Sequence, residues 1–183
     1  MDREIDVSYI IPYYEVDSEK PEVLRKCVKS MKGYDELILV WNDGIGYAKA
    51  INKGLALARG KYMVVSNDDI LLKKGSLRDL CVPGAVVSPK VNGQLQDFWG
   101  CMFCVPRSVY EKVGGLSEIY EISYFDDDDY QFTLKQAGIP MIGTGSVEIS
   151  HPEGGRTLHQ MEGWQERFER NKQKFFDKWH RYP

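Results

Sequence analysis

This chain contains no apolar run near the roughly 20 residues that a bilayer-spanning helix needs, so no integral membrane segment is expected. Its first residues, Met1-Asp2-Arg3-Glu4-Ile5-Asp6, are acidic and lack the apolar stretch of a secretory signal. Basic charge is not in excess either: 24 Lys and Arg stand against 27 Asp and Glu, a net charge of −3. Nucleic acid is therefore not expected as a partner, because general binding to it needs a basic surface that displaces counterions. Repeats, low-complexity segments and linkers are all missing, and 183 residues suit one domain with a sizeable core. Cysteine is sparse, at Cys27, Cys81, Cys101 and Cys104. Cys101-Met102-Phe103-Cys104 matches C-x-x-C, which can mark a redox pair or half a zinc site. It lies in an apolar run without a second close pair, so these read as buried, reduced cysteines in a cytoplasmic protein. Two of the three histidines, His159 and His180, read as surface residues.

The hydrophobic pattern that is present alternates. Residues 7–11 predict a strand stopped by Pro12, and a helix follows with Pro21 in its first turn and Val23, Leu24, Cys27, Val28 and Met31 on one face. Residues 37–41 predict a near-continuous apolar strand of the kind found in covered parallel sheets. Ala48, Ile51, Leu55 and Ala58 predict a second helix ending at Gly60, and residues 62–65 a third strand. The first 70 residues thus read as strand, helix, strand, helix, strand, an α/β half. The second half is more mixed. Strands are expected at 85–87 and 101–105, a short helix at 106–113, extended chain at 140–143 and 147–149, and an amphipathic helix through Met161, Trp164, Phe168, Phe175 and Trp179.

Chemistry concentrates in two acidic clusters. Asn67-Asp68-Asp69 follows the third strand, where open α/β sheets bind ligands, and its oxygens suit Mg²⁺ or Mn²⁺. An Asx-rich turn explains the same residues equally well. The run from Asp126 to Asp129 precedes the helical face Tyr130, Leu134 and Ala137. One or two carboxylates suffice for the first turn of a helix; four like charges in a row point to a nearby cation or to a carboxylate with a raised pKa. His151 opens a loop with Gly154, Gly155, Arg156 and Thr157, a setting for a metal ligand and a loop folding over phosphates, or for a polar surface loop. Tyr13 and Tyr14 after the first strand, with Asp43 after the second, offer a stacking ring and a carboxylate for a nucleobase; turn chemistry is the plain alternative.

In order along the chain these motifs resemble the family 2 glycosyltransferases of the GT-A fold. The likeness runs from residues 7–14 through Val40-Trp41-Asn42-Asp43-Gly44 and the segment 46–60 with Asn52 and Gly54. It continues through Asn67-Asp68-Asp69 at the family's D-x-D, Val113-Gly114-Gly115-Leu116, Asp126-Asp127-x-Asp129 and His151 to the final helix. The resemblance implies a single α/β domain with a mostly parallel central sheet flanked by helices. Residues 1–70 would be the nucleotide-sugar half, and 71–183 the acceptor and catalytic half. Pro12, Tyr14 and Asp43 would line the nucleobase pocket. Asn67 and Asp68 would lie near the ribose and diphosphate, with Arg156 in the loop over the phosphates. Asp69 and His151 would hold Mn²⁺ or Mg²⁺, and Asp127 would be the base in an inverting transfer. Three positions depart from the pattern: Asn67 for the first Asp, Asp126 for the usual Glu, and Ile51 where a polar or basic residue is common. The implied partners are a nucleoside-diphosphate sugar, UDP before dTDP, and a glycan, lipid-linked or protein acceptor. Two rivals stand beside this reading: an inactive sugar-binding or scaffolding module, and a sugar nucleotidyltransferase. The latter would want a basic, glycine-rich loop, yet residues 12–21 hold no glycine and only Lys20.

Overall fold

Strand β1 (Val7–Tyr13) buries every side chain, as a run without charge should when both faces are covered. The computed structural model describes residues 5–14, 19–151 and 162–183. β1 runs on through Pro12, where the sequence predicted a stop. Its pairing with β3 (Tyr62–Ser66) ends at Ile10, while β2 (Glu36–Trp41) stays in register as far as Tyr13. Past Ile10 the strand is one-sided, and an edge tolerates proline.

Helix α1 (Lys20–Ser30) carries Pro21 in its first turn and turns Cys27 onto one face of the sheet. Helix α2 (Tyr47–Leu57) covers the other face with Ala48, Ile51 and Leu55. α2 lies close because Gly54 has no side chain: a Cβ there would run into the Ile10 Cγ2 methyl and crowd Val40. Ile51 is fully buried in this packing.

The second half adds β4 (Leu71–Lys74), a 3-10 turn (Leu77–Leu80), β5 (Val86–Val91), β6 (Met102–Pro106) and α3 (Arg107–Val113). Then come α4 (Asp126–Gln136), β7 (Met141–Ser150) and α5 (Trp164–Trp179). The seven strands form one sheet in the order β2-β1-β3-β6-β5-β7-β4. Parallel pairing, expected for most of the sheet, holds for β2-β1-β3 and for β5 with β7; β6 lies antiparallel to both its neighbours, and β4 antiparallel to β7. The sheet is therefore mixed.

Alternate residues feed two cores. Ile10, Val65 and Phe103 pack under α2, α3 and α4, while Tyr9, Val64 and Cys104 pack under α1 and the 3-10 turn. A third, aromatic cluster built on Tyr120, Phe125 and Phe175 seats α5 against α4. Its rings pair at 5.1–5.7 Å between centroids, as in Phe125–Phe168 and Phe125–Phe175, a spacing that aromatic side chains favour. Among the described residues no helix is long and apolar enough to cross a membrane.

Candidate active site

The carboxyl ends of β1, β2 and β3 emerge side by side because these strands are parallel. Asn67-Asp68-Asp69 leaves β3 there, and the end of β7 delivers His151. The His151 backbone is clamped on both sides by Asn92: its N–H donates to Asn92 Oδ1, and its carbonyl accepts from Asn92 Nδ2, each at 3.0 Å. The clamp leaves the imidazole to face the β3 loop. His151 Nε2 lies 3.2 Å from Asp69 Oδ1 and 3.3 Å from Asn67 Nδ2. Asp69 Oδ1 is buried and makes no hydrogen bond among the described residues, so the imidazole contact is one of charge rather than of bond geometry. Burial opposes a charge on His151, but Asp69 and the Cys101 thiol beside it outweigh burial and hold its pKa up at about 10.

An orphaned carboxylate oxygen and an imidazole nitrogen this close suit a divalent cation that accepts O and N ligands. Among the described residues no third His, Cys, Asp or Glu joins them. A cation here would take its remaining ligands from water or from a bound phosphate, as Mg²⁺ commonly does.

Asp68 turns the other way. Its Oδ1 accepts from Lys20 Nζ at 2.7 Å in a pair only 5% and 7% exposed, so the start of α1 is tied to the end of β3. Burial pushes the Asp68 pKa up, and Lys20 opposes the shift. On the nucleobase side, Pro12 is buried in β1, Tyr14 is half-buried and Asp43 is exposed in the turn after β2. Tyr13 is buried against Trp41, edge to face at 5.2 Å, so the freer ring at this edge is Trp41, 59% exposed. Arg156 and the rest of its loop lie outside the described residues, as does Met161.

Across from the β3 loop, an open cleft of about 570 Å³ is lined by Asn92, Trp99, Gly100, Cys101, Asp127 and His151. Asp127 thus shares a cleft with His151. The four carboxylates from Asp126 to Asp129 all fall in the first turn of α4, and their surroundings differ. Asp129 is structural: its carboxylate accepts from Lys178 Nζ (2.8 Å), Tyr120 Oη (2.7 Å) and Trp179 Nε1 (3.0 Å), which locks α5 onto α4. Asp126 is 2% exposed, its Oδ2 has no partner among the described residues, and burial drives its pKa far up. Asp127 Oδ1 accepts from the Asp128 N–H at 3.0 Å. Burial raises the Asp127 pKa as well. A Cβ on Gly100 would run into the Asp127 carboxylate, so only glycine lets this segment lie against it.

Three residues that hold this arrangement were not legible in the sequence. Tyr47 Oη donates to Asn67 Oδ1 at 2.8 Å and to the Gly100 carbonyl at 3.0 Å. Asn92 clamps His151. Asn171, fully buried in α5, accepts from Glu121 N–H and donates to the Glu121 and Ser123 carbonyls, each at 2.8–2.9 Å. This last set pins a loop in which Ile122, Tyr124 and Phe125 all have positive φ, so the turn that aims Asp127 is held against its own backbone preference. A tyrosine after Gly46 and two asparagines carry no sequence signal for such roles. The cysteines are all free, but the C-x-x-C pair divides: Cys104 is buried in the core, while Cys101 is half-buried and lines the cleft.

Asp128 provides a test of this electrostatic picture. Burial and the neighbouring Asp127 raise its pKa to about 6, and Lys135 only partly opposes them. A carboxyl raised in the folded state favours folding when protonated, and that contribution is lost as pH rises from the unfolded value of about 4 through 6. Asp128→Asn should therefore be more stable than the native chain at pH 7.5 by about 1–2 kcal/mol after screening, and equal to it below about pH 4. Urea unfolding at the two pH values checks this.

No protein-family model matches this chain, and no curated protein matches it in sequence. Solved structures do. The mannosyltransferase PcManGT of Pyrobaculum calidifontis, in complex with GDP-Man and Mn²⁺, is similar over 100% of this chain and 67% of its own, with a TM-score of 0.64 at 18% identity. Drosophila β-1,4-galactosyltransferase 7, a mutant in complex with manganese, UDP-Gal and xylobiose, covers 86% of this chain and 75% of its own, with a TM-score of 0.61 at 17% identity. GalNAc-T7 with UDP, GalNAc and Mn²⁺ gives 0.66 at 9% identity, over 81% of this chain and 43% of its own. The fold is that of the GT-A glycosyltransferases. Identities of 9–18% carry the fold alone, so the chemistry has to be argued from this chain's own residues.

Proposed function

We propose that this protein is a glycosyltransferase that moves a sugar from a nucleoside-diphosphate sugar to an acceptor hydroxyl, with inversion at the anomeric carbon. The observation that carries the reading is one cleft lined by both His151 and Asp127. At one station His151 lies beside the orphaned Asp69 oxygen at the end of β3; at the other is the desolvated Asp127 against Gly100. The first suits a cation that holds a diphosphate, and the second suits a general base. That three GT-A neighbours were solved with Mn²⁺ and a nucleotide or nucleotide sugar supports the first of these roles.

On this reading Pro12, Tyr14 and Asp43 border the nucleobase, Asn67 and Asp68 the ribose and diphosphate, and Arg156 the phosphates. Asp69 and His151 hold Mn²⁺ or Mg²⁺. When bound, such a cation neutralises the negative charge that grows on the leaving diphosphate. Asp127 accepts the proton of the acceptor hydroxyl while that oxygen bonds to the anomeric carbon from the face opposite the departing diphosphate. Burial makes Asp127 a stronger base than a free carboxylate, which favours this transfer. The acceptor is a hydroxyl on a glycan, lipid-linked or protein substrate.

Calorimetric titration with UDP, dTDP and GDP, each with and without Mn²⁺, tests the proposal. One nucleotide should bind tightly only with the cation. A folded protein that binds none of the three would favour the scaffolding alternative.

A further inference from the structure

Tyr47 opens α2 and reaches both sides of the cleft. Its hydroxyl hydrogen is shared between Asn67 Oδ1 and the Gly100 carbonyl, and its backbone N–H donates to the Ile122 carbonyl at 2.6 Å. Asn67 adjoins the cation side directly. With Oδ1 engaged by Tyr47, the Asn67 amide turns its NH₂ towards His151 Nε2. Gly100 adjoins the other side, lying so close to the Asp127 carboxylate that no Cβ fits between them. The Asn67 N–H in turn donates to the Cys101 carbonyl at 2.9 Å, so the β3 loop and the 99–101 segment already meet by one backbone bond. Tyr47 supplies the side-chain brace across the same junction. The Ile122 contact ties its backbone to the loop that launches α4.

We propose that Tyr47 is a positioning residue whose hydroxyl fixes the distance between the cation and diphosphate station and the Asp127 base. The inference rests on the proposed function and extends it to a residue that touches neither substrate. The physical reason is leverage: a displacement of about 1 Å between reacting groups costs on the order of 100-fold in rate. Two unrelated loops share no covalent link that would prevent such a shift. The aromatic ring packs against the core cluster of α2, α3 and α4, so its bulk serves the fold and its hydroxyl serves the register.

Tyr47→Phe keeps the ring and removes only the hydroxyl. The probes are Mn²⁺-dependent binding of UDP and GDP, and release of the nucleoside diphosphate from UDP-galactose and GDP-mannose by slow hydrolysis or transfer. Turnover should fall about 10- to 100-fold, while the Kd for nucleotide with Mn²⁺ changes less than about threefold. The His151 imidazole ¹⁵N resonances should move, because the Asn67 amide loses its anchor; a purely structural role would leave them in place. Asn67→Ala combined with Tyr47→Phe should turn over no more slowly than Asn67→Ala alone, since both variants break one chain of contacts. Native protein that turns over donor alongside a variant with equal turnover and unmoved imidazole resonances overturns the inference alone. Native protein that binds neither nucleotide with Mn²⁺ overturns the proposed function, and the inference with it.

Discussion

Asp127→Asn is expected to lower sugar transfer about 100- to 10,000-fold, the usual range for loss of a general base. Nucleotide binding in the presence of Mn²⁺ should survive. Asparagine retains the oxygen that accepts the Asp128 N–H, so the first turn of α4 keeps its geometry. It also removes a carboxylate that burial already disfavours in its charged form, so stability should hold or rise. The loss of rate would then be chemical rather than structural. In the native protein, kcat/KM should climb with pH along a limb set by Asp127, above the ordinary carboxylate range because burial raises its pKa. In the Asn variant that limb should vanish. Steady-state transfer across pH 5 to 8, with calorimetry on the same preparations, checks both halves, and undiminished turnover in Asp127→Asn would remove Asp127 from the mechanism.

Asp69→Ala should abolish the Mn²⁺ dependence of nucleotide binding. Losing an outer-shell partner of a metal ligand typically costs about 10- to 100-fold in metal affinity, and losing a ligand from a two-residue set should cost at least that. The fold should tolerate the change. Asp69 Oδ1 makes no hydrogen bond among the described residues, and without that carboxylate His151 can give up its charge. Asp68→Ala offers the contrast, because it removes a close carboxylate partner from Lys20, which is 5% exposed. Breaking one half of a buried ion pair commonly costs about 3–5 kcal/mol. The two neighbouring aspartates should thus separate: Asp69→Ala loses metal-dependent binding with the smaller loss of stability, and Asp68→Ala loses stability first. Calorimetric titration beside thermal unfolding reads both. Equal Mn²⁺ dependence in native and Asp69→Ala protein would place the cation elsewhere.

Much of the first half was legible because its physics is local. β1, β2 and β3 are apolar runs of strand length, α1 and α2 keep helical spacing, and the turns between them hold Gly33, Asn42, Gly44 and Gly60. The second half was legible only in pieces. β4 is four residues ending in two lysines and becomes a strand by pairing with β7, an interaction invisible in its own composition. β6 enters the sheet antiparallel between β3 and β5, a strand placement that local pattern does not encode. Pro12 looked like a terminator because the departure of β3 at Ile10 cannot be read from residues 7–13.

The same division runs through the site. From the sequence alone came the carboxylates at the end of β3, the acidic opening of α4 and a histidine after a late strand, because such residues at such ends have few structural uses. Which carboxylate does what was decided by tertiary structure. Asp129 was bound to Lys178, Tyr120 and Trp179, Asp68 was given to Lys20, Asp69 was set against His151, and Asp127 was left in the cleft that His151 also lines. A carboxylate's role depends on its distance from partners far away in the chain and on the water removed around it. Residue type and spacing specify neither; both arise only when α1, α4, α5 and β7 close around the end of the sheet.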